Sequence, residues 1–393
     1  MPTAEVAIDR FLVAGRRELR RMIRRYLTWL RTDGEEATAE EAQRRFAILR
    51  LKFNTTLTQF DMFADVITQR SENESGVWLS GLDVVAAEAL ALPGYYDPPP
   101  VICYLDRDIG AAIRRARTRM PGGGENPVAI IRVPRERMVG TGIASSLVHE
   151  VGHQAAALLD LVNSLQAALR PLQDGAGSAQ LIWQLWERWV SEIVADFWSV
   201  ARVGIAATLG LIGVVSLPRA FVFRLRANDP HPMPWIRVKL SAAMGEALYP
   251  HPQWQRLSAT WESFYPPSGV APETHALLEA LQASMPTFVA LLVDHRPEAL
   301  RGRSLTEVME TGPRQPARLS ALYQSWHAKP SDMYRTSPSL VFAAMGQARS
   351  DGKISPEDES LLLCKLLTFW ALRATLNMSE ICAAAPVARS RAA

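Results

Sequence analysis

Two histidines four residues apart, His149 and His153, enclose a glutamate at position 150, and the run His-Glu-Val-Gly-His holds the most reactive spacing in the chain. On an α-helix both imidazoles project from one face, a turn apart, and can grip one metal ion. Glu150 falls at the edge of that face. There its carboxylate reaches a metal-bound water without being a ligand, which is the geometry a general base requires. Zinc suits the pair, because it takes neutral imidazole, has no redox chemistry, and keeps one of its four positions for water in catalytic sites. Zn2+ is the expected cofactor. Gly152 leaves the metal side uncrowded and lets a second backbone approach closely.

Two histidines do not complete such a site, so a third ligand must come from elsewhere in the chain. The metzincin arrangement would need glycine and histidine three and six residues beyond the second motif histidine, and Ala156 and Leu159 hold those positions. A carboxylate from a second helix remains. Residues 181–200 supply Glu192 with Asp196 one turn on, and Glu187 stands nearby as a rival ligand.

The run HEVGH followed by Glu192-x-x-Ala195-Asp196 resembles the gluzincin metallopeptidases. That resemblance implies that His149, His153 and Glu192 bind zinc, that Glu150 is the base, and that Asp196 supports a ligand imidazole. A third segment, His231-Pro232-Met233-Pro234-Trp235-Ile236-Arg237-Val238, resembles the His-Pro element of CAAX-prenyl-protease-type gluzincins. It implies that His231 lies near the metal as oxyanion stabiliser and that Arg237 braces Asp196 or the site wall. Tyr249 is a second candidate for the oxyanion. The resemblance covers about residues 100–250 and lacks the membrane-spanning helices of those enzymes, so a soluble minimal relative is the closer comparison.

The expected function is a zinc-dependent metalloendopeptidase acting on a peptide or protein, with zinc-bound water activated by Glu150. A substrate strand is expected to pair with an edge strand at residues 128–133. Two alternatives stay open: a catalytically silent zinc-containing binding or assembly protein, and a latent peptidase blocked by its flanking helical regions.

The elements that must position these residues read as mostly helical. Residues 101–105 and 128–133 are short β-type runs, with a helical patch expected over 109–119 and a helix from about 142 through 165. Upstream, residues 10–31 form a basic amphipathic helix, followed by the acidic residues Glu35, Glu36, Glu40 and Glu41, which are expected to pair with it in preference to lipid or nucleic acid. Thr38-x-x-Glu41 has the form of a capping box, and Ser355-Pro356-Glu357-Asp358 fits a helix start. Trp183, Trp186, Trp189 and Trp198 suit core packing better than a substrate cleft. The expected fold is α+β, mostly helical: a zincin-like catalytic core with a small β-sheet over 93–260, between helical regions at 1–92 and 261–393 that offer surfaces to a protein partner.

At 393 residues, with 48% hydrophobic and 21% charged, the chain can bury a large core and is not of the disordered class. Three cysteines, Cys103, Cys364 and Cys382, supply neither a disulfide framework nor a cysteine-rich zinc cluster. A formal charge of +3 gives no reason to expect nucleic acid. Arg16, Arg17, Arg20 and Arg21 interrupt any secretory signal, and the uncharged stretch 203–217 falls short of the roughly 20 apolar residues of a bilayer crossing. A cytoplasmic protein without a membrane span is expected.

Overall fold

Alternating apolar side chains along the two β-type runs build a sheet with apolar packing on both faces. The computed structural model describes residues 2–71, 73–107, 110–134, 140–174, 178–226 and 229–384. Its strands β1 (Val101–Asp106), β2 (Ala112–Arg114) and β3 (Ala129–Pro134) lie in the order β1-β3-β2, with β1 parallel and β2 antiparallel to β3. Cys103, Leu105, Ile131 and Val133 face the main core, while Ile102 and Ile130 point into a smaller one on the opposite face. β3 is therefore central. The expected substrate-pairing edge at 128–133 is corrected, because β1 and β2 already occupy both sides of that strand.

The helical patch expected over 109–119 is also corrected, with Ile109 itself outside the described residues. Its middle is β2, whose backbone is satisfied by Ile130 to Arg132 of β3, and Arg117 turns the chain with φ 62°. Cross-strand pairing outweighs a short helical period.

α1 (Pro2–Thr32) and α2 (Ala39–Thr68) form an antiparallel hairpin, and α3 (Asn73–Leu90) returns beneath β1. The hairpin base sets Ala4, Ile8, Phe63 and Val66 against the outer face of the sheet. Thr38 accepts the Glu41 N–H, but the Glu41 carboxylate turns to Arg45 at 2.8 Å, so the capping box is half formed. The acidic run thus serves its own helix at Glu41, and among the described residues no ion pair joins it to α1.

After the sheet come α4 (Gly142–Leu158), α5 (Leu161–Leu169), α6 (Ser178–Val203), α7 (Ile205–Val215), α8 (Arg219–Val222) and α9 (Pro234–Leu248). The single helix expected over 142–165 is broken at Asp160, which takes the left-handed conformation at φ 51°. The apolar stretch from Val203 bends at Gly204, φ 58°. The remaining helices are α10 (Gln253–Phe264), α11 (Pro272–Asp294), α12 (Leu305–Val308), α13 (Pro316–Ala328), α14 (Pro338–Ser350) and α15 (Pro356–Ala384). Ser355 caps α15 by accepting the Asp358 N–H at 3.0 Å.

The fold is mostly helical α+β. One core runs from Leu79 on α3 to Trp370 on α15 and contains Trp186, Trp189 and Trp198, so the tryptophans of α6 are packing residues, with Trp183 half-buried against them. Two helices missed by the reading of uncharged stretches, Pro272–Asp294 and residues 356–380 of α15, are long and apolar enough by length and composition to cross a membrane. Each buries only one side, 33% and 28% of the most apolar window.

Candidate metal centre

The crossing of α4 over α6 brings the motif to its third carboxylate, and Gly152 sets how close the crossing is. A Cβ at Gly152 would stand 2.8 Å from Ala195 Cα and 2.9 Å from Ala195 O, so only glycine fits without displacement. From this contact His149 and His153 face Glu192. His149 Nε2 lies 3.3 Å from Glu192 Oε2 and His153 Nε2 lies 3.5 Å from Glu192 Oε1. One ligand atom from each of the three falls within 4.8 Å of the others.

Arg237, in the first turn of α9, holds this arrangement from behind. Its Nε and one terminal nitrogen donate to Asp196 at 2.7 and 2.9 Å, and Asp196 accepts from His149 Nδ1 at 2.8 Å. The bidentate grip fixes the carboxylate, and the carboxylate fixes the imidazole with its Nε2 turned to Glu192. Arg237 and Asp196 are both buried, so each charge depends on the other.

His231 enters from the loop before α9, its Nε2 at 3.1 Å from Glu192 Oε2. Its other nitrogen and its backbone N–H both donate to Asp229, at 2.7 and 3.0 Å. Asp229 was not singled out in the sequence. It lies two residues before His231 in a turn, a spacing at which Asp often binds backbone.

Glu150 is buried and lines a cavity of about 160 Å³ together with His149, Asp196, His231 and Arg237. The cavity also touches Ser145 and Ser146 of α4, Ser199 of α6 and Ser241 of α9, none of which sequence reasoning picked out. Each lies three or four residues from a residue that it did pick out, so helical spacing alone pointed to them. Ala207, Leu211 and Val214 of α7 add an apolar wall.

Two candidates stand elsewhere. Tyr249, offered for the oxyanion, is fully buried and donates its hydroxyl to the Ala201 carbonyl at 2.6 Å, so it is corrected to a packing residue. The rival ligand Glu187, in the third turn of α6, accepts instead from Gln173, which precedes that helix. A larger groove of about 780 Å³ between α9, α10 and α11 contains none of the motif residues.

The chain matches no protein-family model, no curated protein and no solved structure.

The donor set suits a divalent borderline cation. Four nitrogens crowd the Glu192 carboxylate, the Nε2 atoms of His149, His153 and His231 and a terminal nitrogen of Arg237 at 3.7 Å from Oε2, yet none meets the buried Oε2 with hydrogen-bond geometry, as expected of an atom whose lone pair is directed at a cation. Two neutral imidazoles and one carboxylate are the ligand types zinc takes in catalytic sites.

Protonation follows the same network. Burial alone would lower His149, but the charge and hydrogen bond of Asp196 outweigh it and hold the imidazole up at about 9. Burial and then the charge of His149 push His153 down to about 4. Against burial, His149 and His231 hold Glu192 well below the usual carboxylate range, and Arg237 holds Asp196 at about 2. Glu150 moves the other way, raised by burial. His231 is raised by its contact with Glu192.

Proposed function

We propose that the chain is a zinc-dependent metallopeptidase of the gluzincin type, with a zincin-like core resembling a soluble minimal relative of the CAAX-prenyl-protease-type enzymes. The reading is carried by Glu192, placed against the Nε2 atoms of His149 and His153 with Oε2 buried and without a hydrogen bond, in a cavity that Glu150 also lines. Zinc held by His149, His153 and Glu192 supplies a Lewis acid that polarises a scissile carbonyl and acidifies water.

Glu150 takes the proton of the attacking water and passes it to the leaving amine. Its raised pKa improves it as a base and keeps the return of the proton within reach. His231, steadied by Asp229 and raised by Glu192, holds a proton at Nε2 that can turn to a developing oxyanion. Asp196 and Arg237 keep His149 in one tautomer and orientation.

A substrate backbone lies along β2, which has no second strand neighbour among the described residues, and Gly110 and Ala111 lead from β2 into the cavity. All described lining residues fall between 110 and 241, which supports a cleft not blocked by the helical flanks. The buried Glu150 in the cavity supports catalysis over a silent zinc site, which has no use for a base. Cys103 and Cys364, both unpaired, support a reducing cytoplasmic compartment.

The test is a peptide-library digest of wild type against Glu150→Gln, with zinc measured in both. The variant is expected to retain zinc and lose hydrolysis by about 10² to 10⁴. Cleavage by the variant at the wild-type rate would remove Glu150 from the mechanism.

A further inference from the structure

Beyond its base on the sheet, the α1–α2 hairpin packs mainly on itself. Phe11 against Phe63, Gly15 beside Thr56 and Gln59, and Arg45 over the Trp29 ring mark the seam between the helices. At about 100° per residue, Ile23, Leu27 and Leu30 on α1 fall about a quarter turn from that seam. Phe46, Phe53 and Leu57 on α2 fall about a quarter turn away in the same rotational sense. In an antiparallel pair this puts both strips on one side of the hairpin. All six residues are exposed, Phe53 at 50%, and the Tyr26 and Phe46 rings, 6.3 Å apart, link the two helices.

Arginines border this face. By the same geometry Arg16, Arg20, Arg24 and Arg31 flank the strip on α1, whereas the groove of about 740 Å³ that Arg17, Arg21 and Arg25 line with Trp29 lies on the other side of the helix. Of the eight arginines in residues 10–31, Arg21 alone forms an ion pair among the described residues, with Glu18.

We propose that this face of the hairpin docks on an anionic lipid surface, with the apolar strip at the acyl boundary and the arginines at the headgroup phosphates. A nucleic acid would satisfy the arginines and leave the strip in water. A second copy of the hairpin would cover the strip, but it brings the same arginines to that face, since its acidic residues Glu35, Glu36, Glu40 and Glu41 cluster at the turn and not along the strip. An acidic bilayer surface answers both features, since the long arginine stems lie along apolar surface while their heads reach phosphate. The docking is independent of whether the metal centre is catalytic.

The test is flotation of the full chain with vesicles of phosphatidylcholine alone and of phosphatidylcholine with phosphatidylserine. Binding is expected only with phosphatidylserine and is expected to fall as salt rises. Arg20→Gln and Arg24→Gln should each lower partitioning about fivefold. Phe53→Ser should lower it about tenfold or more. Leu51→Ser, on the opposite side of α2, should leave it unchanged, and unaltered far-ultraviolet circular dichroism in every variant ties the losses to the surface. The proposal is overturned by equal binding to both vesicles, by no binding to either, or by partitioning that Phe53→Ser leaves intact. A lipid-indifferent dimer dispersed by Phe53→Ser, or binding to nucleic acid in place of vesicles, overturns it equally.

Discussion

Glu192 sits between two imidazoles of opposite tendency, and the pH behaviour of metal binding follows from that contrast. His149 is held at about 9, so near neutral pH it carries a proton that a metal ion must displace. His153, at about 4, has already lost its own. Metal affinity is therefore expected to rise about tenfold per pH unit from about pH 5 to 8 and to level off above 9, checked by calorimetric titration with zinc in buffers of different ionisation enthalpy. An affinity flat over that range would contradict the His149–Asp196 coupling. In the metal-free protein the sign for stability is the reverse. The raised pKa of His149 stabilises the fold fully below about 6.5, the unfolded value, and that contribution is lost as pH rises through about 9. The histidine pair was legible because a helix turns residue spacing into a shared face, and Glu192 was separated from Glu187 only by Asp196 one turn on and by the gluzincin resemblance. Asp229 was not, since its contact with His231 depends on a turn rather than on a period.

At the scale of elements, the distance between α4 and α6 depends on the absence of a side chain at Gly152. Gly152→Ala would set a methyl group against Ala195 and within 3.0 Å of Trp198 Cβ, with backbone on one side and a packed indole on the other. Overpacking of this kind costs about 1 to 3 kcal/mol. Thermal denaturation should show that loss, and zinc affinity should fall with it, because His153 follows the position of Gly152; an unchanged melting temperature would mean the crossing relaxes freely. The sequence made this close approach readable through Gly152 itself. It could not show which strand is central, because β2 is three residues, Ala-Ile-Arg, with too little period to separate it from helix. The placement of β2 beside β3 rests on pairing with Ile130 to Arg132, a contact no local pattern encodes.

Across the whole molecule, α4, which carries His149 and His153, is supported from the far end of the chain. Glu359 near the start of α15, almost fully buried, accepts the backbone N–H of Thr141 just before α4 at 3.2 Å. α3 and α15 meet where a Cβ on Gly81 would stand 2.4 Å from Leu367 O. Glu359→Ala leaves the Thr141 N–H without its acceptor and should cost about 1 to 3 kcal/mol. Unfolding followed by circular dichroism and by zinc release should then shift together; release of zinc with the rest of the fold unchanged would contradict a shared core. Such long-range support was invisible in the sequence, where Ser355-Pro356-Glu357-Asp358 read only as a helix start. The most direct measurement on the full chain is anomalous scattering at the zinc edge from crystals grown with zinc. The expected result is a peak coordinated by His149 Nε2, His153 Nε2 and the Glu192 carboxylate; zinc bound elsewhere, with no peak between α4 and α6, would contradict the metal centre.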